Sequence, residues 1–147
     1  MENFFDIGEK EKIIERINSI NADTKSIWGQ MNAAQMIKHL DLTYKMALGE
    51  ISAPDDKLKP ILSTGLGKWL MIKKIPWFKN MVTAKSLIVR EMIDLETIKE
   101  DLFDTLEKFS VKNENFGTHP IFGKLNKSEW GLLQYKHTMH HLQQFGV

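Results

Sequence analysis

The sequence predicts an all-α protein, folded as an antiparallel four-helix bundle. Apolar residues recur at helical spacing in four segments, and no segment shows the alternation that is typical of a strand. The segments are separated by stretches rich in glycine, proline and asparagine, which end helices and let the chain reverse direction. With 147 residues we expect one domain, residues 1–147, long enough to bury a hydrophobic core.

The first two predicted helices lie in the N-terminal third of the chain. Residues 8–20 carry isoleucines at helical spacing, with charged residues on the other faces. Asn32 is a suitable N-cap for a second helix, which Gly49 ends. His39 lies on the flank of the apolar stripe of this second helix, where we expect it to face a groove rather than the packed centre.

Residues 50–90 form the least regular part of the chain, because Gly65, Gly67 and Pro76 divide it into short pieces. From Lys57 to Arg90 it contains seven lysines, one arginine and no acid, a formal charge of +8 that leaves −7 for the rest. We interpret it as a connection whose apolar residues cover the helices while its lysines stay in water. The alternative is a surface for an anionic partner or a membrane, although the breaks interrupt any long amphipathic helix.

The last two predicted helices begin at Asp94 and Asn126. The third carries an apolar stripe on one face and many acids on the other. Asn126 and Glu129 have the spacing of a capping box, and Gly146 is placed to stop the fourth helix. This helix is apolar on two sides, which indicates either a central position or a subunit interface. Its clearly polar positions, which we expect to face solvent, are Lys136 and Gln143.

Composition excludes several classes of protein. A net charge of +1 provides no strong field for nucleic acid. The absence of cysteine excludes disulfides, thiolate metal sites and a cysteine nucleophile. The N-terminus has no signal-peptide pattern, and no apolar run is as long as a membrane span. We therefore expect a cytoplasmic protein with a small-molecule partner, and neither nucleic acid nor a membrane.

The histidines are the candidate functional residues. His137 and His141 are four residues apart on the predicted last helix, so they share a face and could share one metal ion. A third ligand must come from elsewhere, and His39 and His119 are the remaining choices, since His140 lies on an edge of that face. Three imidazoles suit Zn, Ni, Fe or Cu and leave a position open for water or substrate.

Each of these residues also has a structural interpretation. Three histidines near a helix C-terminus could form a polar strip that interacts favourably with the helix dipole. His119 precedes a proline and is interpreted as a loop residue, and the alternative is a pocket residue or a hydrogen-bond partner of a metal ligand. Four further residues are candidates for the wall of a pocket, although core packing would also explain the two tryptophans: Trp28, Trp130, His140 and Gln144.

Two segments carry a resemblance to a known family. HTMHHLQQFG resembles the H-x-x-x-H-x-x-Q pattern in the last helix of the DinB/YfiT-like superfamily. WGQMNAAQMIKHL is similar to the entry of that superfamily's second helix, where a tryptophan precedes the first metal-binding histidine. HPIFGKLNKSEWGLLQYKHTMHHLQQFG also looks like one bacterial branch of it. The match covers the second helix and roughly the last thirty residues, and the overall length and the order of the helices agree with a bundle of this size.

The resemblance implies a four-helix bundle with a three-histidine metal site, often in a homodimer. Carried over to this sequence, the ligands would be His39, His137 and His141, holding a divalent transition metal such as Zn or Ni, and His140 would have no ligand role. Characterised relatives use the metal to activate a low-molecular-weight thiol, and others were named as hydrolases. A thiol S-transferase or a hydrolase is therefore the leading expectation. The alternative is a non-catalytic helical module that dimerises and carries a structural or vestigial histidine cluster.

Overall fold

Helices account for most of this protein in a computed structural model that describes residues 2–77, 79, 87 and 89–147. The order is α1 (Glu9–Asn18), α2 (Ala33–Leu48), α3 (Lys59–Leu62), α4 (Gly65–Lys68), a π-helical segment (Trp69–Lys74), α5 (Leu95–Val111), β1 (Thr118–His119), β2 (Gly123–Lys124) and α6 (Lys127–Gln144). The predicted helical fold is confirmed in outline. The expectation of no strands is corrected by a small antiparallel hairpin, in which Thr118 pairs with Lys124 and His119 with Gly123.

The predicted N-caps form in the structure. The side-chain oxygen of Asn32 accepts a bond from the backbone N–H of Gln35 at 2.9 Å, and the Gln35 side chain accepts one from Asn32 at 2.9 Å. Asn126 and Glu129 make the same reciprocal pair at the start of α6. These contacts satisfy backbone donors that have no partner inside a helix, which is why both helices begin where the sequence predicts. Gly49 ends α2 with a φ of 81°, a conformation that favours glycine.

The four long helices contribute to one hydrophobic core, which Phe4 also enters from the N-terminal segment. Helices α2 and α5 pack along much of their length. Asp41 is fully buried between them and accepts a bond from the hydroxyl of Thr105 at 2.7 Å. Lys38 and Lys45 lie 3.3 Å and 2.8 Å from the same carboxylate. A buried charge needs such partners, so this cluster ties α2 to α5 in one register.

Helix α6 is buried on both of its apolar sides within this chain. Trp130 and Leu142 are fully buried, and Leu132 and Leu133 are nearly so. The apolar residues on two sides of α6 are therefore explained by the central position of this helix in the fold. Gly131 allows this packing, because a Cβ at residue 131 would lie 2.0 Å from the side-chain oxygen of Asn3.

The described part of the basic middle segment packs against α6 and the core. Ile72 is buried, while Ile61, Leu66 and Trp69 are exposed. Lys136 of α6 was expected to face solvent, but it donates hydrogen bonds to the carbonyls of Met71, Ile72 and Ile75. These carbonyls lie at the end of the π-helical segment and have few partners inside it, so Lys136 holds the segment against α6.

Part of the same basic stretch, residues 78, 80–86 and 88, lies outside the described residues. Among the described helices, none combines the length and the apolar character that crossing a membrane requires.

Candidate metal centre

Three histidines from two helices meet beside the core. His39 comes from the flank of α2, and His137 and His141 come from successive turns of α6. Each offers one ring nitrogen, and these three atoms all lie within 4.8 Å of one another. The Nε2 atom of His137 is 3.1 Å from the Nε2 atom of His39 and 3.0 Å from that of His141. The cluster could therefore hold a metal ion.

The tautomer of His39 follows from its other nitrogen. Nδ1 of His39 lies 3.0 Å from the backbone carbonyl oxygen of Leu87. A carbonyl oxygen can only accept, so Nδ1 carries the proton and donates it. Nε2 of His39 therefore presents a lone pair to the cluster.

The tautomer of His141 follows from a chain of two hydrogen bonds. The side-chain nitrogen of Gln144 donates to the carbonyl of Trp28 at 2.8 Å, which fixes the orientation of the amide. The amide oxygen of Gln144 then faces Nδ1 of His141 at 2.8 Å and accepts its proton. Nε2 of His141 is left with a lone pair that also points at the cluster.

Two acceptors therefore face Nε2 of His137. A proton on this nitrogen could be donated well to one of them, which would leave the other lone pair without a donor. A cation at the centre satisfies all three nitrogens at once. Metal–nitrogen bonds of about 2.0–2.1 Å keep neighbouring ligand atoms about 3.0–3.4 Å apart, close to the distances of 3.1 Å and 3.0 Å from Nε2 of His137 to its two neighbours. The donor set and its outer hydrogen bonds thus fit a transition-metal ion.

Burial keeps these imidazoles neutral. It lowers the pKa of His141 to about 3, with a smaller contribution from the charge on His39. Burial also lowers the pKa of His39, against the opposing effect of its bond to Leu87. The pKa of His137 lies well below its ordinary value because of burial and then the charges of its histidine neighbours. Neutral imidazole is the form that binds metals, so the site needs no proton loss near pH 7.

A cavity of about 540 Å³ opens onto the cluster. This volume is in the range of small-molecule binding sites. Most of its described wall is apolar and comes from α2, α6, the hairpin loop and the middle segment. The main apolar side chains of the wall are Leu62, Met71, Trp77, Ile121, Phe122 and Leu133.

The other predicted site residues divide into two groups. His119, Trp130 and His140 border this cavity. Trp28 and Gln144 are absent from its described lining, because they lie behind His141 and fix its orientation. The ring of Trp28 also lies beside His140, with 6.0 Å between the two ring centroids. Gln144 is thus a support of the cluster rather than a residue of the approach.

Gly29 makes the support behind His141 compact. Its φ is 82°, and a Cβ at this position would lie 2.4 Å from the side-chain nitrogen of Gln144. Any larger residue would therefore move the amide away from His141.

Two residues of the site were missed in the sequence. The ring of Trp77 lies 5.1 Å from that of His137 and forms part of the cavity wall. The carbonyl of Leu87 orients His39. Both come from the irregular middle segment, where no periodicity indicates which residues turn inward. A backbone carbonyl, moreover, has no sequence signature.

The helices and the histidine cluster define a mostly helical protein with a candidate three-histidine metal centre. Residues 3–146 match the family described as Protein of unknown function (DUF1569). This match spans nearly the whole chain, and the protein belongs to that family. Comparisons with curated proteins and with solved structures found no match.

Proposed function

We propose that this protein is a metal-dependent enzyme in which His39, His137 and His141 bind one divalent transition metal, Zn or Ni. The observation that carries the proposal is the convergence of three imidazole nitrogens. Hydrogen bonds from Nδ1 to Leu87 and Gln144 leave a lone pair on Nε2 of His39 and of His141. A structural histidine cluster would give each acceptor its own donor, whereas here two acceptors converge on Nε2 of His137, which can carry only one proton.

The reaction class follows from the open side of the cluster. A bound metal would supply Lewis-acid chemistry, lowering the pKa of a coordinated thiol or water so that it can act as a nucleophile at neutral pH. The chain holds His39 and His141 in place through hydrogen bonds to Leu87 and Gln144, and its apolar wall limits the access of water. Transfer to a low-molecular-weight thiol, or hydrolysis, is the chemistry that we assign to the cavity.

We further propose that the four long helices form an antiparallel bundle of the DinB/YfiT type. The sequence patterns around Trp28, His39 and His137 support this relationship, as do the order of the helices and the ligand set. A homodimer and a cytoplasmic location are part of the same proposal. Both are tested directly, by light scattering and by fractionation of cells.

Metal content tests the site. Untagged protein, His137→Ala and the matched control His140→Ala are purified in parallel and analysed by plasma mass spectrometry after loading with Zn or Ni. We expect about one metal per chain in the parent and in His140→Ala, and loss of metal in His137→Ala. His140 is the informative control, because it is the adjacent histidine but does not belong to the cluster. Stoichiometric metal in His137→Ala would refute the ligand assignment.

The alternative, a non-catalytic helical module, makes the opposite prediction for stability. A protein whose histidines are merely structural should melt at the same temperature with and without a chelator. A metal bound by the folded state alone raises the melting temperature, because ligand binding adds to the free energy of unfolding. A chelator-dependent decrease that disappears in His137→Ala therefore supports the metal site over the module.

A further inference from the structure

His119 differs from His39 and His141, because its proton is on the other ring nitrogen. Nδ1 of His119 accepts hydrogen bonds from the backbone N–H groups of Ile121 at 3.1 Å and Phe122 at 3.2 Å. Both partners can only donate, so Nδ1 carries the lone pair and the neutral ring carries its proton on Nε2.

The ring of His119 is fixed in this orientation by its surroundings. It belongs to β1, and the two N–H groups that it accepts from lie in the turn that leads to β2. The ring centroid is 4.8 Å from that of Phe122 and 5.6 Å from that of Trp130. Burial lowers the pKa of His119 to about 4, so the ring is neutral at pH 7.

The Nε2–H group is the polar edge left to face the cavity. His119 borders the same cavity as His39, His137 and His141, while its Nδ1 edge is occupied by the turn. Among the described residues Nε2 of His119 has no hydrogen-bond acceptor. The cavity is therefore bordered by the lone pairs of His39 and His141 and, separately, by the fixed N–H donor of His119.

The rest of the wall indicates the charge of the occupant. Among its described residues there is no lysine or arginine, and Asp56 is the one acid. Among these described residues an anionic substrate would find no lysine or arginine and would meet the carboxylate of Asp56, so its only attraction would come from the metal itself. Lys136, which lies beside His137 in sequence, is engaged with the carbonyls of the π-helical segment. The described wall therefore suits an uncharged, mainly apolar molecule with a single polar group.

We infer that the substrate is a small, uncharged, mainly apolar molecule with one hydrogen-bond acceptor, such as a carbonyl oxygen, which the Nε2–H of His119 binds. This inference rests on the proposed function, for which it names the substrate class and a substrate-binding residue. The apolar body packs against Trp77, Phe122 and Leu133, and the acceptor sets which part of the molecule lies nearest the histidine cluster.

Matched probes test the role of His119. Acetophenone presents a carbonyl, and α-methylstyrene has the same shape with a methylene in place of the oxygen. Their dissociation constants are measured by ligand-observed NMR titration against the metal-loaded protein and the metal-free protein. Benzenesulfonate, an anion of similar size and a weak metal ligand, tests the preference for an uncharged body.

Two variants separate the donor from the fold of the loop. His119→Asn places an amide oxygen near the position of Nδ1, so the turn keeps its acceptor while the Nε2–H is lost. His119→Gln can place an N–H near the position of Nε2 but gives up the bond to the turn. Melting temperatures of both variants identify any loss of folding.

We expect the preference for the ketone over the alkene to fall about 3- to 10-fold in His119→Asn and to be retained in His119→Gln, as the loss of one hydrogen bond predicts. An unchanged preference in a folded His119→Asn would overturn the inference. Binding of benzenesulfonate as tight as that of acetophenone would overturn its claim about charge. Metal content is measured on the same samples. If the protein binds metal but His119→Asn leaves the preference for the ketone unchanged, this inference is wrong and the proposed function stands. If the preference depends on His119 but the protein binds no metal, the proposed metal function is wrong and this inference stands.

Discussion

Replacing Gln144 with leucine should weaken metal binding although Gln144 is not a ligand. In the parent the amide oxygen of Gln144 accepts the Nδ1 proton of His141 at 2.8 Å, so the lone pair of His141 is on Nε2. Leucine has a similar size but no acceptor. His141 can then move its proton to Nε2, the tautomer in which that nitrogen cannot bind a metal.

The expected magnitude comes from two effects. Removing the partner of a metal-binding histidine typically lowers metal affinity 10- to 100-fold, about 1.4–2.7 kcal/mol of binding free energy. The metal-free protein should also lose about 1–3 kcal/mol of its free energy of unfolding, because the carbonyl of Trp28 and the Nδ1–H of His141 lose their partner together.

A chromophoric chelator that competes for Zn measures the affinity, and urea unfolding of the metal-free protein measures the stability. Gln144→Glu is the matched comparison, since it keeps an acceptor for His141 but loses the donor to Trp28. It should keep the affinity of the parent while losing stability. Gln143→Leu changes an exposed neighbour and should alter neither quantity by much.

The outcomes distinguish the two roles of Gln144. An affinity of Gln144→Leu within twofold of the parent would refute the argument that this residue selects the tautomer. Equal losses of affinity in the leucine and glutamate variants would show that the bond to Trp28, rather than the acceptor for His141, supports the site.

Two further predictions concern the metal-free protein. Its free energy of unfolding should fall as the pH decreases from 7.5 to 5.5, because the pKa of His119 is about 4 and that of His141 about 3, while both are near 6.5 in the unfolded chain. The unfolded state then binds more protons in this range. His119 alone accounts for a loss of about 1.4 kcal/mol in the free energy of unfolding between the two pH values. Urea unfolding measures this loss as a shift of the midpoint, and the shift should be smaller in His119→Asn. Lys136→Met should speed amide hydrogen exchange in the π-helical segment and lower stability by about 1–3 kcal/mol, because three carbonyls lose a charged donor. Lys73→Met, an exposed lysine of that segment, is its control, and equal exchange rates in both variants would contradict the anchoring role of Lys136.

Local chemistry explains why the long helices were predictable. Asn32 with Gln35 and Asn126 with Glu129 cap their helices through contacts between residues three apart, which a sequence displays directly. Gly49 ends α2 for an equally local reason. The hairpin at His119 was missed, because each strand has two residues and shows no alternation.

The middle segment illustrates the opposite case. Its apolar residues have no single period, so the sequence could not indicate that Ile72 is buried while Leu66 and Trp69 are exposed. Lys136 was assigned to solvent because lysine usually stays there. Its three carbonyl partners exist only because a short π-helix ends beside α6.

By itself the sequence determined the four long helices, the shared face of His137 and His141 and the candidacy of His39, because the spacing of residues within one helix sets which of them are neighbours. Only the tertiary structure decided that His39 rather than His119 completes the cluster, since this depends on how α2 and the hairpin pack against α6. It also decided which nitrogen of each ring is protonated. Leu87, Gln144 and the turn after His119 set those protons through contacts between residues that are distant in sequence or that use the backbone, and neither leaves a pattern in the chain.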